Sequence, residues 1–367
     1  TMGVGSYQLS IGRRLRASAA VAFLRPALSR PNLTLLTGVH VTRVLFQGTR
    51  TVGVEWAANG QRHSANAESE VILSAGTIQS PQILQLSGVG PADLLQSHGI
   101  DVVADAPEVG ANLQDHYQIR LLLRLTKKWS LNDDVRNPIK LAQMGLEWML
   151  AGKGPLTVGA GQVGGGASTG LSEPGRPDIQ FNVMPLSVDK PGMPLHKYSG
   201  FTASFWQCHP RSRGQVQIKS ADPFADPLIA PNYLSDPHDR LTMVAGVKLL
   251  REIHDQPAFR ELWDKEMIIG AEAKTNAEIL NAVQNMGGTV FHPTGTCRMG
   301  NDATAVLDPE LRVNGVENLR VIDASAMPKI TAANTNAPTL MIGEKGARMI
   351  LAGRAVRNAQ SPEEMLK

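Results

Sequence analysis

Glu70-Val71-Ile72-Leu73-Ser74-Ala75 runs directly into Gly76-Thr77-Ile78-Gln79-Ser80-Pro81-Gln82-Ile83-Leu84-Gln85-Leu86-Ser87-Gly88-Val89-Gly90. The first stretch reads as a short apolar strand and the small residues after it as a turn. Ser80 suits a helix N-cap with Pro81 at the first helical position, and Gly88 a stop. A strand, a tight turn and a helix make half of a βαβ unit, so the expected class is α/β. A second unit of this kind lies near the C-terminus. Residues 319–322 read as a buried strand ending in Asp323-Ala324, and a helix led by Asn336 and Pro338 ends before Gly353.

The chain between these units reads differently. Residues 33–37, 39–46 and 51–56 look like a three-stranded β-meander. Residues 117–125, 178–184, 201–207 and 215–218 alternate like antiparallel strands, and 141–150 is helix-like. Residues 155–175 read as a glycine-rich loop, and 236–254 as an amphipathic helix with Met243, Val247 and Leu250 on one face. The expected architecture is therefore a mixed α/β chain: a Rossmann-like domain interrupted by an inserted antiparallel-sheet domain. The expected segments are 1–113, 114–285 and 286–367.

Composition narrows the function. The chain has 367 residues, with 36 Lys and Arg against 33 Asp and Glu, a net charge of +3. That balance offers no broad basic face for nucleic acid. Two cysteines, Cys208 and Cys297, cannot build a disulfide framework, which favours a reducing compartment. No run reaches the ~18 apolar residues of a spanning helix, and residues 1–16 lack the apolar core of a signal peptide. Gly159-Ala160-Gly161-Gln162-Val163-Gly164 has the spacing of a dinucleotide-binding turn, and Gly166-Ala167-Ser168-Thr169-Gly170 that of a nucleophile elbow. Neither has the flanking strand and helix its chemistry needs, so both read as loop. No metal-ligand spacing occurs.

The composite pattern at 76–90 resembles the second signature of the GMC (glucose–methanol–choline) oxidoreductases at every defined position. Other blocks resemble that family in the same order: Arg13-Arg14 with Ser18, Arg30 to Leu33, Asn112-Leu113-Gln114-Asp115-His116, Asp222 to Pro227, Pro231 to Ser235, His292 to Gly300, Asp323-Ala324-Ser325, and Asn334 to Pro338. The last block most resembles bacterial choline and primary-alcohol dehydrogenases.

The resemblance implies FAD-dependent oxidation of an alcohol. That reaction removes a proton from the hydroxyl and a hydride from the carbon, and flavin can accept the hydride. A histidine suits the base, with an ordinary pKa near ~6.5, and an amide can hold the oxygen without titrating. The resemblance puts His292 in the first role, as base or alkoxide stabiliser, and Asn334 beside it. Read alone, His292 could be structural and Asn334 a helix cap. The resemblance also implies FAD contacts at Val41, Ala75, Gly76, Asp323 and Ala324, and at the positive N-terminus of the last helix, Asn336 and Ala337. Asp115-His116 has the look of a dyad, but the resemblance implies a structural turn. Cys297 reads as a small buried residue.

Members of the family begin with a βαβ unit and a flavin-wrapping first signature that these 367 residues do not contain. The chain alone is therefore expected to bind FAD weakly and to be inactive. For the whole protein the expected partners are a small alcohol and a quinone or other electron acceptor. The expected place is the cytoplasm or the periphery of the inner membrane; the oligomeric state stays open. An oxygen-using oxidase and an inactive binding module are the alternatives.

Overall fold

A computed structural model describes residues 2–12, 14–157, 159, 161–190 and 192–359, with side chains described as far as 353. Arg13 and Ala160, part of two of the motifs above, lie outside the described residues. In chain order the elements that matter are β1 (Gly3–Ser6), β2 (His40–Gln47), β3 (Arg50–Ala58), β4 (Gln61–Asn66), β5 (Val71–Leu73) and α1 (Gly76–Leu86). Then come β6 (Tyr117–Leu125), α2 (Pro138–Ala151), β7 (Val163–Ala167), β8 (Ile179–Met184) and β9 (Gly200–Gln207). The chain continues through β10 (Gln215–Gln217), α3 (Pro237–His254), β11 (Trp263–Ile268), α4 (Asn276–Met286), β12 (Leu319–Val321) and α5 (Asn336–Ala359). The class is mixed α/β, as expected. None of the described helices is long and apolar enough to cross a membrane.

The chain divides into two compact units, one of residues 1–36, 117–208 and 236–290, the other of 37–116, 209–235 and 291–367. Two long segments differ from the expected partition, besides the boundary stretches 114–116 and 286–290, and hydrogen bonding explains both long ones. Residues 1–36 sit in the first unit because β1 pairs antiparallel with β7, Gly3 opposite Gly166 and Ser6 opposite Val163. Residues 209–235 sit in the second because the buried amide of Gln85 on α1 bridges them. Its Nε2 donates to the carbonyls of Val109 (3.0 Å) and Val216 (3.1 Å), and its Oε1 accepts from the Ile218 N–H at 2.9 Å.

In the first unit an antiparallel sheet runs in the order β1-β7-β8-β9-β6-β11. The stretch expected to be a loop thus contains the strand β7. Its glycines have a steric reason: a Cβ on Gly164 would stand 2.5 Å from the Phe181 carbonyl oxygen of the neighbouring strand β8. Helix α2 starts on Asn137, whose side chain accepts from the N–H groups of Ile139 and Lys140, and stops at Gly152 in the left-handed region. Helix α3 is capped by Asp236 and buries Met243, Val247 and Leu250, as its periodicity predicts.

His254, at the end of α3, carries a pH liability. It is 4 % exposed, and its ring stacks on Phe259 with centroids 5.5 Å apart. Its Nδ1 has no hydrogen-bond partner among the described residues. Burial pushes its pKa from 6.5 down to about 4, against a weaker opposing pull from Asp255. The folded state therefore binds fewer protons than the unfolded chain between those values. The stability tied to the neutral ring is present above pH 6.5 and is lost as pH falls toward about 4. Urea titrations at pH 7 and pH 4.5 should lose roughly 2–3 kcal/mol more in the parent chain than in His254→Phe. Equal losses would mean the ring is already protonated or solvated in the folded state.

The second unit holds the strand–turn–helix pair. Strands β2, β3 and β4 form an antiparallel meander, joined between β3 and β4 by Asn59 (φ 50°) and Gly60 (φ 76°). Two consecutive positive φ angles are what a type I′ hairpin turn requires, and Asn-Gly supplies them most cheaply. The third strand is therefore 61–66, and residues 33–37 form none. Strands β5 and β12 pair in parallel, Leu319 opposite Val71 and Val321 opposite Leu73. Around them pack Val44, Ile83, Leu84, Val109, Cys297, Leu307, Val313, Ile322 and Ile342. Val71 and Leu73 are buried, while Ile72 between them is 43 % exposed. Parallel strands are usually covered on both faces, so this side of β5 is open. Helix α5 passes through Gly353 and reaches Ala359 rather than ending before that glycine.

Helix α1 starts five residues earlier than expected, at Gly76, with Pro81 inside it. A proline there removes the donor that should satisfy the Thr77 carbonyl. The Thr296 hydroxyl fills the gap, donating to that carbonyl at 2.7 Å. Ser80 is consequently not the N-cap.

Candidate active site

The segment 292–300 is laced to two neighbours in its own unit. Gln114 and Thr294 exchange both backbone hydrogen bonds, at 3.0 and 2.8 Å. The Gly110 N–H donates to the Thr296 carbonyl, and the Cys297 N–H to the Ser325 carbonyl. Phe291 enters this segment in the left-handed region (φ 63°) with its ring 76 % exposed, while His292 after it is 7 % exposed. The Asp115 carboxylate fixes the backbone at the turn. Its Oδ1 accepts the His292 N–H at 2.9 Å, and its Oδ2 accepts the Tyr233 hydroxyl at 2.5 Å.

Both nitrogens of the His292 ring are engaged. Nε2 lies 3.0 Å from the Asn334 amide nitrogen, and Nδ1 lies 3.0 Å from Nδ1 of His116. The two residues singled out for chemistry, 42 positions apart, are thus in direct contact. Burial lowers the His292 pKa from 6.5, more than the Asp115 charge raises it, so the ring is neutral at pH 7. A neutral imidazole beside a non-titrating amide can take a hydroxyl proton while the amide orients the oxygen.

The residues expected around a cofactor are arranged as follows. The Asp323 side chain, 5 % exposed, faces inward. Its Oδ2 accepts from the Gly76 N–H (2.9 Å) and the Ser80 hydroxyl (2.6 Å), and its Oδ1 from the Ser325 N–H and hydroxyl. The carboxylate thus ties the start of α1 to the end of β12, which leaves the backbone as this residue's means of touching a ligand. Ala75 is exposed, and a Cβ on Gly76 (φ 84°) would meet nothing within 4 Å. Val41 is a half-buried residue on β2, paired with Trp56.

Among the described residues, the backbone N–H groups of Asp323, Ala324, Asn336 and Ala337 have no hydrogen-bond partner. The last two are exposed at the start of α5. Open donors beside small side chains fit a flat, polar-edged ring system that needs close backbone approach. Cys297 is fully buried with its thiol pKa pushed up by that burial, so it is no nucleophile. No group of three or more metal-ligating side chains occurs among the described residues.

Family models described as GMC oxidoreductase match residues 1–118 and 210–343. The chain belongs to the GMC oxidoreductase family. Its relatives include the alcohol dehydrogenase [acceptor] of Pseudomonas putida, 41 % identical over 359 residues, covering 95 % of this chain and 63 % of that protein. The mitochondrial choline dehydrogenase of Homo sapiens is 43 % identical over 352 residues, covering 95 % and 59 %. This GMC chain therefore spans less than two thirds of the length of these relatives. Among solved structures, pyridoxine 4-oxidase from Mesorbium loti superposes with a TM-score of 0.82 at 29 % identity, covering 95 % of this chain and 64 % of that one. An FAD-dependent oxidoreductase from Chaetomium thermophilum gives 0.86 at 25 % identity, covering 96 % and 68 %. GMC oxidoreductases are FAD-binding flavoproteins.

Sequence reading missed three members of the site. Resemblance implies only a turn at Asp115 and His116, and no role for Tyr233 within the block 231–235. The adjacent Asp-His pair was the available signal. Its meaning depended on a contact 176 residues away, between His116 and His292.

Proposed function

We propose that the complete protein oxidises a primary or choline-type alcohol to the aldehyde, with His292 as the base and Asn334 as the group that orients the oxygen. The observation that carries this reading is the 3.0 Å contact between His292 Nε2 and the Asn334 amide nitrogen. An alcohol hydroxyl that enters between them donates to Nε2 and accepts from the amide, replacing their mutual hydrogen bond. The proton then passes to Nε2, and the carbon gives up a hydride to complete the two-electron oxidation. FAD supplies the hydride acceptor when bound, and the backbone donors at Asp323, Ala324, Asn336 and Ala337 are the groups of this chain that would hold it.

The test is a panel of primary alcohols, choline and polyols with an artificial dye acceptor, run on the flavin-loaded protein and on Asn334→Ala. One substrate class should turn over, and the variant should lose about 10–100-fold in kcat/KM. Full turnover by the variant would remove Asn334 from the reaction. The acid limb of the kcat/KM profile should fall below pH 6.5, because burial lowers the His292 pKa and the base must be unprotonated. A midpoint above 6.5 would contradict that assignment.

We propose further that the electrons go on to a quinone at the membrane periphery. Rapid reoxidation of the reduced protein by oxygen would make it an oxidase instead. The 367 residues on their own should bind FAD weakly, which the visible flavin absorption of the purified chain reports. A stoichiometric band would overturn that expectation.

A further inference from the structure

His116 is fully buried, and its ring meets that of His292 edge-on, with planes at 85° and centroids 5.2 Å apart. The two Nδ1 atoms are 3.0 Å apart. One proton lies between them, so one ring donates and the other accepts. The other side of His292 decides which. An amide nitrogen has only hydrogens to offer, so the Asn334 contact makes His292 Nε2 an acceptor. A neutral imidazole with Nε2 unprotonated carries its hydrogen on Nδ1. That hydrogen points at His116 Nδ1, which must then accept, leaving the His116 hydrogen on Nε2. One pair of tautomers satisfies both contacts.

The Asp115 carboxylate accepts the His292 backbone N–H and the Tyr233 hydroxyl. At Nδ1 the ring meets a second imidazole, where many catalytic histidines meet a carboxylate or a carbonyl.

We infer that His116 is a positioning residue, which accepts the Nδ1 hydrogen of His292 and so keeps the Nε2 lone pair aimed at the place where Asn334 holds the alcohol oxygen. This rests on the proposed role of His292 but is measurable apart from turnover. Without an acceptor at His116, the opposite tautomer becomes available to His292. Its Nε2 then carries hydrogen and cannot take the substrate proton.

The experiment is long-range proton–nitrogen correlation NMR on the flavin-loaded protein, deuterated and labelled with 15N-histidine at neutral pH. The His292 signals are assigned by their loss in His292→Gln. His292 should read as the Nδ1–H tautomer and His116 as the Nε2–H tautomer. In His116→Asn, whose side-chain oxygen can accept in place of Nδ1, His292 should keep its tautomer. In His116→Phe it should shift toward Nε2–H. In turnover, His116→Phe should lower kcat by about 10–100-fold with a smaller change in KM, and His116→Asn should recover most of the loss.

An Nε2–H tautomer at His292 in the parent protein overturns the inference, even if the phenylalanine variant does not fold. So does an unchanged tautomer in His116→Phe. If His292→Gln keeps full kcat while the parent tautomers are as stated, the proposed role of His292 fails and the tautomer assignment stands.

Discussion

Replacing His292 by alanine in the flavin-loaded protein should lower kcat by about 10²–10⁴-fold, the range over which a positioned general base contributes. The loss should fall on kcat and on kcat/KM alike, because the group acts on the proton in flight and not on the bound alcohol. Three features support an effect of this size. The ring is 7 % exposed, so water cannot readily stand in for it. Its lowered pKa keeps it unprotonated at pH 7. Each of its nitrogens is held at 3.0 Å by a named partner, which fixes its direction. The acid limb of the pH profile should vanish with the imidazole. Steady-state kinetics with a dye acceptor measure all three quantities. Near-full kcat would assign the base elsewhere.

The parts of the fold legible in the sequence were those whose cause is local. Helix α3 announces itself through an aspartate cap and a buried stripe at Met243, Val247 and Leu250. Helix α2 does so through Gly152 behind it, while its Asn137 cap starts it three residues ahead of the expected 141. The errors arose where a distant group supplied what the local sequence lacked. Pro81 argues for a helix beginning beside it, and only the Thr296 hydroxyl, 219 positions away from the carbonyl it satisfies, lets the helix run through. Gly164 and Gly165 look like a loop until β8 and β1 lie against them, where a side chain would strike the neighbouring backbone. Asn59-Gly60 was an available local signal for the third strand of the meander, and it outranks the run of leucines at 33–36. At the site, the contact between His292 and Asn334 was foreseen through family resemblance, not through spacing. Their partner His116 was not, since a histidine after an aspartate reads equally well as a turn.

Asp323 shows the same division between resemblance and geometry, and it sets up the second large effect. Resemblance places this residue against the cofactor, whereas its carboxylate is spent inside the protein on the Gly76 N–H, the Ser80 hydroxyl, and the Ser325 N–H and hydroxyl. Asp323→Ala should therefore destabilise the folded chain in the absence of flavin by about 3–5 kcal/mol, the size expected when a buried charged network loses its centre. The two backbone N–H groups have no way to turn toward another acceptor, while the two serine hydroxyls can rotate. Asp323→Asn should keep the shape of the side chain but bring two hydrogens toward those donors, so it should recover only part of the loss. Ser80→Ala removes a single hydroxyl and should cost about 1–2 kcal/mol. Urea denaturation of the three variants without flavin ranks them directly. A residue whose carboxylate served the cofactor alone would leave flavin-free stability unchanged and weaken only FAD binding. An unaltered denaturation midpoint in Asp323→Ala would return the carboxylate to the cofactor and remove the tie between α1 and β12.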